Sequence, residues 1–215
     1  MMTKYNKKDI ENLDRIFRIN LMNSITGIKP ANLIATKSEK GVSNVAIFSS
    51  VVHLGSSPAQ IGFFIRPQYK YRTDTFSNIK DTGFFTINHI HGDIVRKSHY
   101  TSAKLPSDIS EFDRIKIKEE YIDGFFAPFV KSSFIKIGLS LIKLIELPNR
   151  CTLVIGEVDL IKIKDKSIIT EEGRVDIKDA GSIGVAGLDR YYKLSKEDEF
   201  EYIGNDEIPE FEQER

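Results

Sequence analysis

The pattern of apolar and polar positions opens helical and then turns to strands. Lys8 to Ile19 predicts an opening helix: Asp9 suits its N-cap, and Ile10, Leu13, Ile16 and Phe17 share one face. Leu21 to Lys29, with Ser24, Thr26 and Gly27, reads as an irregular segment closed by Pro30. Ala31 to Thr36 is a short apolar run, and the polar loop Lys37-Ser-Glu-Lys-Gly41 joins it to a return strand over Val45 to Val52. Gln60 to Ile65 is a third strand. No helix-length segment separates these three, so antiparallel pairing in a barrel or sandwich is expected.

Thr73 to Asp81 is the next helix: Thr73 or Asp74 can cap it, Phe76 and Ile79 share a face, and Gly83 sits where a left-handed C-terminal residue belongs. Phe84 to Ile90 reads as a strand, and Gly92-Asp93 starts a short helix carrying Ile94, Val95, Lys97 and His99. Leu105 to Phe112 and Gly124 to Pro128 read as loops. From Ser133 two long strands follow. In the second, Val154, Val158 and Leu160 alternate with Glu157 and Asp159, after which the apolar set moves to Ile161 and Ile163. A change of parity inside a strand calls for a bulge or a bend, and bent strands suit a small closed barrel. Gly181 to Tyr192 is the last ordered element. The carboxylate-rich stretch from Glu197 to Arg215 is expected to be loosely draped, giving a domain over residues 1–195 and an acidic tail over 196–215.

Composition narrows the function. The 215 residues hold 31 Lys+Arg and 31 Asp+Glu, so nothing in the charge balance asks for nucleic acid or an anionic membrane. The single cysteine, Cys151, excludes an intrachain disulfide framework and a Cys-x-x-Cys metal knuckle. The N-terminal residues lack the apolar core of a signal peptide. The most apolar window, Ile135 to Leu147, is too short for a membrane span and carries Lys136, Lys143 and Glu146. A soluble, cytoplasmic protein is expected.

Candidate chemistry gathers at a few places. In Asn44 to Pro58 a strand runs into Ser49-Ser50 and Ser56-Ser57, leaving backbone groups and hydroxyls for a turn, water or a ligand. Arg72-Thr73-Asp74-Thr75 opens a helix, where N–H groups, a hydroxyl and a guanidinium suit a phosphate. A capped surface helix with a solvated Arg fits the same residues, and the Asp74 carboxylate competes for the same N–H groups. His89, His91 and His99 lack a carboxylate or thiol at a metal-ligand spacing. The serines near His53 form no Gly-x-Ser-x-Gly elbow, and neither Gly-x-Gly-x-x-Gly nor a Walker sequence occurs.

Taken together, Ala31-Asn-Leu-Ile, Asn44-Val-Ala-Ile-Phe-Ser-Ser-Val with Ser57-Pro58, Arg72-x-Asp-Thr75-x-x-Asn78-Ile79 and Phe85-x-Ile-Asn88 resemble the flavin-reductase-like FMN-binding split-barrel proteins. Gly187-Leu-Asp-Arg-Tyr-Tyr and His99-Tyr-Thr-Ser-Ala-Lys104 extend the likeness. The resemblance implies a mainly β fold, an antiparallel Greek-key split barrel with peripheral helices, acting as a homodimer. It implies FMN as cofactor, NADH or NADPH as electron donor, and a flavin or other acceptor. Carried over by position, Ser49, Ser50, Val51 and Val52 would line the flavin, and Arg72 and Thr75 would hold its phosphate. Asn88 with His99, Ser102 and Lys104 would close the site, and Asn32, Ser57, Arg66 and Tyr191 complete the cofactor-binding set. The alternative within this fold is a flavin-binding electron carrier that works with a protein partner and has no nicotinamide site.

Overall fold

The computed structural model describes residues 2–69, 72–200, 203–204 and 210. Two helices, α1 (Lys7–Asn12) and α2 (Arg15–Ser24), precede β1 (Lys29–Pro30), β2 (Asn32–Lys37), β3 (Ser43–Phe48), β4 (Val52–Ser56) and β5 (Ala59–Ile65). Helix α3 (Asp74–Thr82) leads to β6 (Phe84–His89), and a 3-10 turn at Gly92–Ile94 leads into α4 (Val95–Tyr100). Then come α5 (Glu111–Ile115), β7 (Glu119–Glu120), β8 (Phe129–Val130), the long β9 (Ile135–Glu146) and β10 (Thr152–Ile163), and a closing hairpin of β11 (Ile183–Ala186) and β12 (Arg190–Lys193).

Seven strands form one antiparallel sheet in the order β3-β2-β6-β9-β10-β5-β4. Its two edges, β3 and β4, are consecutive in the chain and joined by Ser49, Ser50 and Val51 alone. Three linking residues reach at most about 14 Å between flanking Cα atoms. The edges must therefore meet, and the sheet closes into a barrel. Inside it Ile34, Phe63, Ile65, Phe85, Ile87, Leu139 and Val154 pack together, with Ile79 of α3 plugging one side. The opposite face of β2 and β3 is also covered: Leu33, Ala35 and Val45 pack against Ile94, Phe112, Ile183 and Val185. Burial on both faces explains why β2 is a continuous apolar run rather than an alternating one.

Several expected elements form where the pattern places them. Thr73 caps α3, its hydroxyl accepting the Phe76 N–H at 3.4 Å, and Gly83 ends it at φ 77°. The parity change in β10 is real: the β9–β10 register shifts between Ile155 and Gly156 and again between Val158 and Leu160.

Other expectations are corrected. The opening helix is two helices, because the Asp14 carboxylate accepts the N–H groups of Ile16 (2.8 Å) and Phe17 (3.0 Å) and restarts the chain there. Asp9 is not the N-cap; it closes a reciprocal capping box with Asn6. Helix α2 then runs on through Leu21–Ser24, where an irregular segment was expected. Val45 to Val52 is two strands on opposite edges of the sheet, and β3 does not pair with β5. The loop expected over Leu105 to Phe112 ends earlier, at the start of α5. Most of the expected tail lies outside the described residues; within it Glu199 pairs with Arg174 and Lys196.

Candidate flavin site

The three-residue crossover between the barrel edges positions the first group of side chains. Ser50 lies in line with the β4–β5 ladder, but its side chain makes the connection: Oγ accepts the Phe64 N–H and donates to the Phe64 carbonyl, both at 3.1 Å. Ser50 is thus a fastener of the seam. Beside the crossover, Asn32 of β2 stands opposite Phe48 on one side and His89 on the other. It is buried (1% exposed), and neither its Oδ1 nor its Nδ2 has a hydrogen-bond partner. An unmade pair of this kind costs about 1–3 kcal/mol per group, so the position calls for a polar occupant. His89 is held by Ser182, Nδ1 to Oγ 3.0 Å, and burial pushes its pKa down to about 4, leaving it neutral.

A second group stands on the face of the sheet that carries Val45 and Ile47. The His99 ring of α4 meets Tyr191 of β12, Nδ1 to hydroxyl 2.9 Å, with the rings edge to face. Desolvation, and secondarily the Asp189 carboxylate, raise the Tyr191 pKa, so the phenol keeps its proton. Val95, Arg96, Tyr100 and Asp189 join this pair around a cavity of about 250 Å³. Tyr191 and Val95 pack on the same core as Ile47, two residues before Ser49. Ser102 is exposed and donates to the His99 carbonyl at 2.8 Å; Lys104 is exposed at the following turn.

The third group surrounds the start of α3. Arg66 and Arg72 are both exposed, and Gln68 ties their segments together, donating to the Arg66 carbonyl (2.7 Å) and accepting the Thr73 N–H (2.7 Å). Thr75 is interior instead: it is 2% exposed, and its hydroxyl meets the Asn44 amide at 3.0 Å. Asn78 bonds the Thr36 hydroxyl beside it, and the buried Glu111 carboxylate accepts the Val45 N–H at 3.3 Å. Burial raises the pKa of both Asp74 and Glu111, and the two acids repel each other. A cavity of about 380 Å³ on this side is lined by Glu39, Asp74, Asp81 and Asp108 with Lys40. An anion is disfavoured there. The open cationic side is the one carrying Arg66 and Arg72.

Asn88 is likewise interior. Its Nδ2 donates to the Leu33 carbonyl (3.2 Å) and Thr86 Oγ1 (2.9 Å), while Oδ1 accepts the Val130 N–H (2.9 Å), so it fastens β8 to β6. Val51 packs on the barrel core, whereas Val52 and Ser57 are exposed. The three histidines go to separate partners: His89 to Ser182, His91 to the Ser132 carbonyl and the face of Phe134, and His99 to Tyr191.

Residues 28–171 match the family described as the flavin reductase like domain. The chain belongs to the flavin reductase-like family. Among solved structures, a chain from Shewanella frigidimarina assigned as a flavin reductase with split barrel domain is 36% identical, with a TM-score of 0.89 over 94% of this chain and 100% of that one. Component B of nitrilotriacetate monooxygenase from Bacillus cereus, 22% identical, superimposes with a TM-score of 0.81 over 93% of this chain and 99% of its own. Flavoredoxin of Desulfovibrio vulgaris, 24% identical, gives 0.68 over 83% and 92%. The last two share the fold. With the fold, the family supports a flavin-related oxidoreductase or electron carrier.

The residues present fit a flavin. Asn32 has an idle donor and an idle acceptor, the complement of an imide edge. Tyr100, Tyr191 and His99 give the cavity aromatic walls, and the two arginines offer charge to a phosphate. What sequence reasoning missed is the set that holds these groups in place: Gln68, Asn44, Glu111 and Ser182. The signal for Gln68 was present, a polar residue between two arginine segments, but its bonds depend on a loop geometry that no periodicity reports.

Proposed function

We propose that this flavin reductase-like chain binds FMN at the crossover and, as a homodimer, moves electrons from NADH or NADPH through it to a flavin or other acceptor. The observation that carries the reading is the buried, unpartnered amide of Asn32 beside the Ser49–Val51 crossover. In this reading Ser49, Val51 and Val52 border the ring with Ser57 at the neighbouring turn. Arg66 and Arg72 hold the phosphate, His99 and Tyr191 line the cavity of about 250 Å³, and Ser102 and Lys104 follow α4 on the same segment. Ser50, Thr75 and Asn88 act from behind, fixing the seam, the start of α3 and strand β6.

Bound FMN supplies a two-electron acceptor that can release electrons singly or in pairs. The chain's part is placement. His99 and Tyr191 hold each other's orientation, and the protonated phenol adds no charge to the cavity. His89, across the ladder from Asn32, is neutral and adds no positive charge there. No acid or base is required of the protein for hydride transfer through a flavin.

The test is the visible absorption spectrum of the purified protein, followed by FMN titration and steady-state oxidation of NADH and NADPH. One FMN per subunit with nicotinamide oxidation is the expected result. A protein that stays colourless and leaves added FMN fluorescence unquenched overturns the reading. FMN bound without nicotinamide oxidation would instead identify the electron carrier.

A further inference from the structure

The turn between β9 and β10 brings a third arginine to the loop that carries Arg66 and Arg72. Leu147 donates its N–H to the Cys151 carbonyl at 2.8 Å, and the Arg150 N–H reaches the Leu147 carbonyl at 2.7 Å. Asn149 Oδ1 accepts the Cys151 N–H at 3.0 Å. Closed in this way, the turn holds Arg150 in a left-handed backbone, φ 64°. Glycine adopts that conformation freely and asparagine more readily than arginine, yet Asn149 stands one place earlier. The ladder fixes where the turn lies: Thr152 is the partner of Ile65, so Cys151 comes next to Arg66. The Arg150 guanidinium carbon lies 5.6 Å from the centre of the Tyr69 ring, in the loop that Gln68 braces between Arg66 and Thr73.

We propose that Arg150 is a third phosphate-binding residue of the flavin site, positioned by the Tyr69 ring. The inference rests on the FMN reading above and adds to it a residue from a separate turn. All three arginines are exposed, and among the described residues none of them is paired with a carboxylate. Acids are at hand. Glu146 ends β9 opposite Thr152, and Asp74 follows Arg72 by two positions but lines the acidic cavity instead. Three like charges drawn to one loop without a counter-charge repel one another, and a bound anion relieves that repulsion.

The donor set favours a phosphate over other anions. A carboxylate carries one charge on two oxygens, which a single guanidinium fork satisfies. A phosphate monoester carries up to two charges on three oxygens, and several guanidinium groups can share it. A nucleic-acid backbone is a poor occupant, because it asks for a row of cations along one face, and this chain balances 31 basic against 31 acidic residues. Tyr69 is 74% exposed, so its ring is free to serve as a platform. Lying over a ring occupies the face of a guanidinium and leaves its N–H edge for an anion. Riboflavin, which has the ring and no phosphate, makes none of these contacts.

The experiment is calorimetric titration of FMN and of riboflavin into wild type, Arg150→Gly and Arg72→Ala, each stripped of flavin, at low and high salt. Glycine suits the left-handed position, so Arg150→Gly keeps its turn, checked by an apo melting curve that matches wild type. FMN binding about tenfold weaker in Arg150→Gly is expected, with riboflavin binding unchanged and a shallower salt dependence for FMN. Arg150→Lys, which restores the charge without the fork, should recover part of the loss. An Arg150→Gly protein that binds FMN as wild type does, while Arg72→Ala loses it selectively, overturns the role of Arg150 and leaves the FMN reading standing. Equal losses for FMN and riboflavin also overturn it, since they place the effect of Arg150 in the turn rather than at the phosphate. A wild type that binds neither flavin overturns the FMN reading as well.

Discussion

Replacing Ser50 by alanine separates a fastener from a ligand contact. The hydroxyl both accepts from and donates to the backbone of Phe64, each at 3.1 Å, at the point where the chain passes between the barrel edges. Each such bond contributes about 0.5–1.5 kcal/mol net. Phe64 is 37% exposed, so water can reach the vacated groups and limits the loss to about 1–2 kcal/mol. For a chain of this size that lowers Tm by roughly 2–8 °C. Calorimetry on the protein stripped of flavin is the decisive assay, because a hydroxyl serving only the cofactor would leave the apo melting curve where it was. Ser50→Thr keeps the hydroxyl and should recover most of the loss. An apo Ser50→Ala protein that melts with wild type, yet binds FMN more weakly, would refute the seam argument and return Ser50 to the ligand.

Arg72→Ala should weaken FMN binding by roughly tenfold to a few hundredfold, the worth of a charge-assisted bond of about 1.5–3 kcal/mol, while riboflavin, which lacks the phosphate, is nearly unaffected. Equal losses for both ligands in parallel titrations would remove Arg72 from the phosphate. His89 has a folded pKa of about 4, below its unfolded value near 6.5, so the unfolded chain takes up the proton first as pH falls. Stability fully present above pH 6.5 should decline by up to about 3 kcal/mol towards pH 4, and His89→Gln should flatten that slope in urea titrations; an unchanged slope contradicts the assignment. Gly156→Ala would set a Cβ 2.6 Å from the Phe85 ring, so a cost of about 1–3 kcal/mol is expected in the same assay. A neutral Gly156→Ala would mean that the barrel core is looser than its packing implies.

Much of the architecture was legible because it rests on local signals. The α3 caps at Thr73 and Gly83 and the two long strands follow from periodicity and end chemistry, and the β10 bulge follows from one shift of parity. The misreadings have a common cause. Asp14 restarts a helix inside an unbroken helical pattern, and Ser49–Val51 carries the chain between sheet edges inside an unbroken apolar run. In both, one short polar side chain bonded to the backbone overrides the surrounding periodicity. That competition is invisible to any count of apolar spacing.

The site divides along the same line. Motif position identifies which residues lie near the crossover and α3, but the hydrogen bonds already made within the fold decide which of them have polar groups left over. Thr75 and Asn88 sit in the matching motifs, yet both point inward: Thr75 of α3 meets Asn44 of β3, and Asn88 stands on β6, and both are satisfied within the fold. Asn32 obeys the same burial and breaks the rule of satisfaction, with both ends of its amide idle. Asn44, Asn78 and Asn88 all find partners in the fold; among the described residues Ser98 and Ser133 also carry an unpartnered buried hydroxyl, but Asn32 alone leaves two polar atoms, a donor and an acceptor, unmade. That idle pair, one residue from the seam where the edges meet, is the strongest structural reason to place a polar ligand there.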